Sequence, residues 1–161
     1  MKDSKKRPEN GLLISPIQNG TVIDHIKAGE ALTVLRILGI TGSTEESLSI
    51  ATNVKSSLNS SMKDIVKISS RELSKNEVNR IALVSPNATI NIIRNYRVIE
   101  KVGVELPEIL TGVVMCPNPG CITNSDEPIE TKFHVVEGTL HCLYCNNIIT
   151  PDMVDIVELI I

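Results

Sequence analysis

An α+β fold built as two units is predicted by three features of the sequence. Strand and helix signals alternate over residues 11–105, all four cysteines fall between residues 116 and 145, and residues 103–112 carry Pro107 between Gly103 and Gly112. That Pro/Gly stretch reads as a boundary. The chain is therefore expected to divide into a poorly ordered tail at 1–10, a cysteine-free unit at 11–105 and a cysteine-bearing unit at 106–161.

Composition sets the outer limits. With 161 residues, 42% hydrophobic and 22% charged, the make-up is that of a globular protein. Aromatic residues are 2% of the chain: Phe133, Tyr96 and Tyr144, with no Trp. A surface that stacks single-stranded bases on several rings is not expected. Sixteen basic against nineteen acidic residues leave a net charge of −3, which argues against a broad footprint on DNA. No stretch approaches membrane-spanning length, and the N-terminus lacks an apolar signal region. The expectation is a cytoplasmic chain with neither nucleic acid nor membrane among its partners. In a reducing compartment, four cysteines point to metal or redox chemistry instead of disulfides.

In the first unit, residues 11–18 read as an extended segment, at an edge because of Pro16. Asn19-Gly20 is a turn signal, and Thr21-Val22-Ile23 resumes a strand. Over 28–38, Ala28, Leu32 and Leu35, joined by Ala31 and Leu38, share a helical face, and Gly39 ends it. Residues 47–54 and 62–69 form two strands around an Asn/Ser-rich turn. Ser74 precedes Glu77 by three residues, a capping box. Val78, Ile81 and Ala82 give the helix that follows its apolar face, and Pro86 stops it by about Ser85. Strands at 88–93 and 96–102, joined by Arg94-Asn95, close the unit. The order strand, helix, strand, strand, helix, strand, strand is the split βαβ, ferredoxin-like order with one strand added. It predicts a mostly antiparallel sheet with both helices on one face. The other face is left free for a ligand or a partner. The name is topological and implies no iron–sulfur cluster.

The second unit is organised by its cysteines. Four residues separate Cys116 from Cys121, twenty separate Cys121 from Cys142, and two separate Cys142 from Cys145. Two short-spaced pairs joined by a hairpin read as a four-thiolate zinc site in a small β-rich, rubredoxin-like domain. Each pair sits on a tight turn and offers two sulfurs to one ion. With four thiolates in place no water is left to activate, so the site is structural. About fifty residues with one Phe bury little core, and a metal supplies the missing folding energy. Two rivals stand beside zinc. One is a redox pair at Cys142 and Cys145, which lacks a strand-to-helix context and leaves Cys116 and Cys121 unexplained. The other is iron, which the same ligands bind. His134 and His141 read as surface or packing residues.

The first unit carries a polar cluster. Asp24 and His25 follow the Gly20 turn. Strand alternation puts Lys63 and Lys67 on one face with Ile65 between, and Lys101 ends the last strand. Lysines meeting at a sheet edge can hold a polyphosphate as point charges. Asp24 can accept from a ribose hydroxyl or an amino group, and the backbone near Tyr96 and Val98 can read a base edge. The plainer reading is a set of solvated lysines and a turn, because no phosphate-binding glycine loop is present. No nucleophile–base pair and no open metal site suggests an enzyme.

Gly20-Thr21-Val22-Ile23-Asp24-His25-Ile26 and Lys63-Asp64-Ile65-Val66-Lys67-Ile68 resemble the regulatory chain of aspartate carbamoyltransferase. So do Pro86-Asn87-Ala88-Thr89-Ile90-Asn91 with Asn95-Tyr96, and Cys116-Pro117-Asn118 with Cys121-Ile122 and the Cys142/Cys145 pair. The resemblance runs in order from about residue 12 to the last residue. It implies a non-catalytic subunit of pyrimidine biosynthesis, paired with a second copy of itself and linking catalytic trimers. Its first domain binds CTP, usually an inhibitor, or ATP, usually an activator. Its zinc domain docks on the catalytic chain. Carried over, Lys67 and Lys101 contact the triphosphate, and Asp24 and His25 lie by the phosphates and ribose. Ile17, Tyr96 and Val98 surround base and sugar, while Lys63 and Asn91 support the pocket. Ile14 and Ser15 belong to the first strand that lines it. Ser15 stands where many members carry a charge and Arg97 where an acidic residue is common, which bears on affinity and on the choice between CTP and ATP. The rival classes are a zinc-ribbon nucleic-acid-binding or adaptor protein and a small redox enzyme.

Overall fold

Alternating apolar residues turn five segments of the first unit into strands: β1 (Gly20–Lys27), β2 (Leu48–Lys55), β3 (Met62–Ser69), β4 (Thr89–Arg94) and β5 (Arg97–Gly103). The computed structural model describes residues 16–40, 42, 45–56, 61–127, 129–150 and 156–161. The expected tail at 1–10, the start of the 11–18 segment, and Ile14 and Ser15 lie outside the described residues. The strands form one sheet in the order β2-β3-β1-β4-β5, and every neighbouring pair is antiparallel. This is the ferredoxin-like order with β5 added beside β4.

Two helices cover one face: α1 (Ala31–Ile37) and α2 (Lys75–Val84). Ile23, Ile26, Val66, Ile68 and Ile90 from the sheet pack against Val34, Leu35, Ile81 and Ala82 from the helices. The capping box holds: Ser74 Oγ accepts from the Glu77 amide at 3.2 Å, and Glu77 Oε1 accepts from the Ser74 amide at 3.1 Å. The cap residue at the other end of α2 is Ser85.

Two local expectations change. Asn19-Gly20 does not close a hairpin. Gly20 opens β1, pairing with Ser69 on one side and Ile93 on the other, and a Cβ there would lie 2.1 Å from the Ile68 carbonyl oxygen. Close backbone approach, not a turn, is what requires glycine. The first helix is also shorter than 28–38, because β1 runs through Lys27 and Gly29 turns the chain at φ +94.

The second unit is a smaller antiparallel sheet, β6 (Ile109–Thr111), β7 (Lys132–Val136), β8 (Thr139–Cys142) and β9 (Ile148–Ile149), in sequential order. The single Phe, Phe133, is fully buried among Leu110, Val113, Val114, Leu140, Ile149 and Ile156. The apolar C-terminal residues form a short helix, α3 (Ile156–Leu159), followed by a bridge from Ile160 to Val114. Leu106 and Val84 pack against both cores. Arg36 of α1 also reaches Glu158 of α3 at 3.0 Å.

Candidate functional site

The helix-free face carries a row of partners. Lys67 on β3 pairs with Val22 on β1, Val22 with Asn91 on β4, and Asn91 with Lys101 on β5. Residues directly opposite on antiparallel strands share a face. The row therefore lays two lysines and an amide across four strands. Residues two along on each strand extend it: Asp24 beyond Val22, and Ile65 and Lys63 before Lys67.

A groove of about 380 Å³ follows this row, lined by Ile17, Asp24, Lys67, Asn91, Tyr96 and Val98 among the expected residues. Pro16, Val22, Ile65 and Ile93 complete the wall. Val22 and Ile93 were not singled out in sequence, although alternation from Asp24 and Asn91 reaches them. Asn91 donates from Nδ2 to the Val22 carbonyl at 3.3 Å, which fixes its amide in the floor.

Lys63 joins the groove through Asp24. Its Nζ lies 2.8 Å from Asp24 Oδ1, which also accepts from the His25 amide at 2.6 Å. Burial alone would push the Asp24 carboxyl up, but the Lys63 ammonium and the His25 amide outweigh it and hold the pKa down. Lys67 is pulled the opposite way. Burial lowers its pKa, partly offset by the charge of Asp24, and no carboxylate lies within ion-pair distance among the described residues. A half-buried ammonium short of a counter-charge is suited to an incoming anion. His25 sits on a bulge at φ +55, with Nδ1 3.3 Å from Thr89 Oγ1 and Nε2 shielded without a partner. Lys101 continues the row onto the exposed edge strand.

The outer wall is a tight turn. Asn95 and Tyr96 both adopt left-handed conformations, at φ +51 and +64. The Asn95 amide donates to Asn19 Oδ1 at 3.2 Å, and the Tyr96 amide donates to the Gln18 carbonyl at 2.9 Å. Gln18 and Asn19 thus brace Tyr96 beside the groove.

The four cysteines converge at the far end of the second sheet. Their Sγ atoms all lie within 4.8 Å of one another. Cys116 and Cys145 are 3.6 Å apart, and Cys121 and Cys142 are 3.8 Å apart. A tetrahedral ion with metal–sulfur bonds near 2.3 Å needs sulfur–sulfur edges of about 3.8 Å. The cluster fits such an ion. Asn124 ties the first knuckle, donating to the Cys116 and Asn118 carbonyls at 2.8 and 2.7 Å. Thr123 Oγ1 donates to Cys121 Sγ at 3.2 Å. Neither was expected from sequence, because the cysteine spacing alone does not say which neighbours brace the loop. Burial pushes the Cys116 thiol up to about 12, so metal capture there expels a proton. Among the described residues, no helix is long and apolar enough to cross a membrane.

Two family models match: the aspartate carbamoyltransferase regulatory chain, allosteric domain, over residues 12–105, and its metal binding domain over residues 108–155. A relative from Methanoculleus marisnigri called aspartate carbamoyltransferase regulatory chain is 66% identical over 150 residues, covering 93% of this chain and 96% of that one. One of the same name from Methanoregula boonei is 65% identical, covering 89% and 88%. One from Halobacterium salinarum is 47% identical, covering 91% and 95%.

Proposed function

The chain belongs to the aspartate carbamoyltransferase regulatory-chain family, and from that membership we propose that it binds CTP and ATP in the groove on the helix-free face. It is a non-catalytic subunit, and catalysis resides in the catalytic chain. The four cysteines hold one zinc ion. A dimer of this chain links catalytic trimers in the cytoplasm, with the zinc-bearing unit docked on the catalytic chain.

The observation that carries the reading is the row Lys67–Val22–Asn91–Lys101, continued by Asp24 and Lys63 along the groove. A triphosphate needs several cations at one end of a site. Lys67 on β3 and Lys101 on β5, at the two ends of the row with β1 and β4 between them, supply them as point charges without a glycine loop. Asp24, held ionised by Lys63, accepts from ribose hydroxyls. Tyr96, Val98 and Ile17 give base and sugar an apolar wall.

Effector and active site stand on different chains, so regulation is a coupling free energy between two sites. A nucleotide shifts activity only by binding one quaternary state more tightly than the other. The path runs from the groove through the helix-covered sheet to the connection at 103–112, and on to the zinc-bearing unit.

Calorimetric titration of the zinc-loaded chain with CTP, and separately with ATP, tests this. Saturable binding is expected, weakened about 10- to 100-fold in Lys67→Ala, the loss of one charge-assisted contact. Zinc-loaded, folded protein that binds neither nucleotide would overturn the effector reading. Loss of assembly in Lys67→Ala would make that lysine structural.

A further inference from the structure

Arg80, on α2, is half-buried. Its Nε is shielded from solvent without a hydrogen-bond partner. Among the described residues no carboxylate lies within ion-pair distance of it. Asn76, one turn earlier on α2, has an equally shielded and unpartnered Oδ1, so the two side chains do not satisfy one another. A shielded charged donor without an acceptor is costly, and such a group calls for a partner.

Arg80 opens into a cleft of about 210 Å³ where α1, α2 and α3 converge. Arg36 of α1 lines the same cleft, and Ile37, Val157, Ile160 and Ile161 form its other side. Among the described residues, no Asp or Glu is in that lining. Arg36 touches one carboxylate, Glu158 at 3.0 Å, with both side chains more than half exposed. An exposed pair of that kind is weak and readily exchanged. The cleft lies on the helix side of the first sheet, away from the groove on its helix-free face.

We infer that this cleft is a second anion site, taking a phosphate or the phosphate of a small metabolite. Arg80 supplies a planar fork whose geometry matches a phosphate, and Arg36 turns from Glu158 to supply a second. The side formed by Ile37, Val157, Ile160 and Ile161 accommodates a short carbon skeleton. Bound there, the anion bridges α1 and α2 of the first unit to α3 of the second. The site is independent of the nucleotide groove.

Arginine Nε–Hε signals of the ¹⁵N-labelled, zinc-loaded full chain test the site. Assignment uses Arg80→Lys and Arg36→Lys, and the titrants are inorganic phosphate and glycerol 3-phosphate at constant ionic strength. The Arg80 signal is expected to shift saturably, equally in wild type and Lys67→Ala. Arg36→Gln, at an exposed position, is expected to weaken the response about tenfold. Tighter binding of glycerol 3-phosphate assigns the site to a metabolite, and equal binding assigns it to free phosphate. A shift that Lys67→Ala abolishes, or one that chloride reproduces, overturns the proposal. So does an Arg80 signal that moves only when catalytic trimers are added, which would give the guanidinium to a partner's carboxylate.

Discussion

Asp24 and Asp64 stand on neighbouring strands and do different work. Asp64 is fully buried on the helix side of the sheet. Its Oδ2 accepts from the Gly29 and Ala31 amides at 2.9 and 3.0 Å, and its Oδ1 from the Asn53 amide at 2.7 Å. It thereby caps α1 from across the sheet, where Glu30 provides no side-chain cap. Asp64→Ala strands three amides at about 1–3 kcal/mol each. The expected loss is on the order of 3 kcal/mol or more, read as a lower urea midpoint at unchanged slope. Asp24 acts through its charge. Its folded pKa lies below the ordinary value of 3.8. A group with a depressed folded pKa adds stability that is present above its unfolded value and lost as pH falls through the folded one. Asp24→Asn should therefore lower stability at neutral pH and flatten the loss below about pH 4. An acid limb that parallels wild type would remove Asp24 as its source. Neither role is legible in sequence. The run Lys63-Asp64-Ile65-Val66-Lys67 marks Asp64 as a neighbour of the site lysines, but the amides it serves lie 35, 33 and 11 residues away.

At the scale of elements, α2 is legible in the sequence, while Gly20 and the β4–β5 turn are not. The capping box and Pro86 bracket α2 because cap and breaker chemistry act within a few residues. Gly20 misleads because its need for glycine comes from β3, which arrives some fifty residues later. The β4–β5 turn shows the same limit. Sequence places it at Arg94-Asn95, and the structure places its left-handed pair at Asn95-Tyr96. Asparagine tolerates that conformation, whereas tyrosine there costs about 1 kcal/mol. Strain kept beside a groove suggests that the ring is needed there. Tyr96→Gly should raise the unfolding midpoint, since glycine relieves the strain. It should also weaken CTP binding about tenfold, as base and sugar lose an apolar contact. Raised stability with undiminished binding would show that the ring takes no part in the site.

Across the whole molecule, the two cores are unequally self-sufficient. The first has two helices and five strands around more than a dozen buried or half-buried aliphatic residues. The second has short strands, one Phe and three cysteines that occupy core positions themselves, with Cys145 packed against them. Without a metal, the buried cysteines Cys116 and Cys142 hold their protons, because burial raises both thiols. The knuckles then have no common ligand to draw them together. Metal binding and folding of this unit are accordingly one equilibrium. Chelation should abolish amide-exchange protection in β7 and β8 while leaving β1, β3 and β4 protected, and association with catalytic trimers should be lost with it. Acid should act in the same direction, because protons compete with the ion for the thiolates. Leu106 and Val84, shared between the cores, should loosen first on the first-unit side. A metal-free chain that keeps β7 and β8 protected would mean that Phe133 and its aliphatic neighbours suffice. The cysteines would then be free for the redox chemistry that their spacing alone allows.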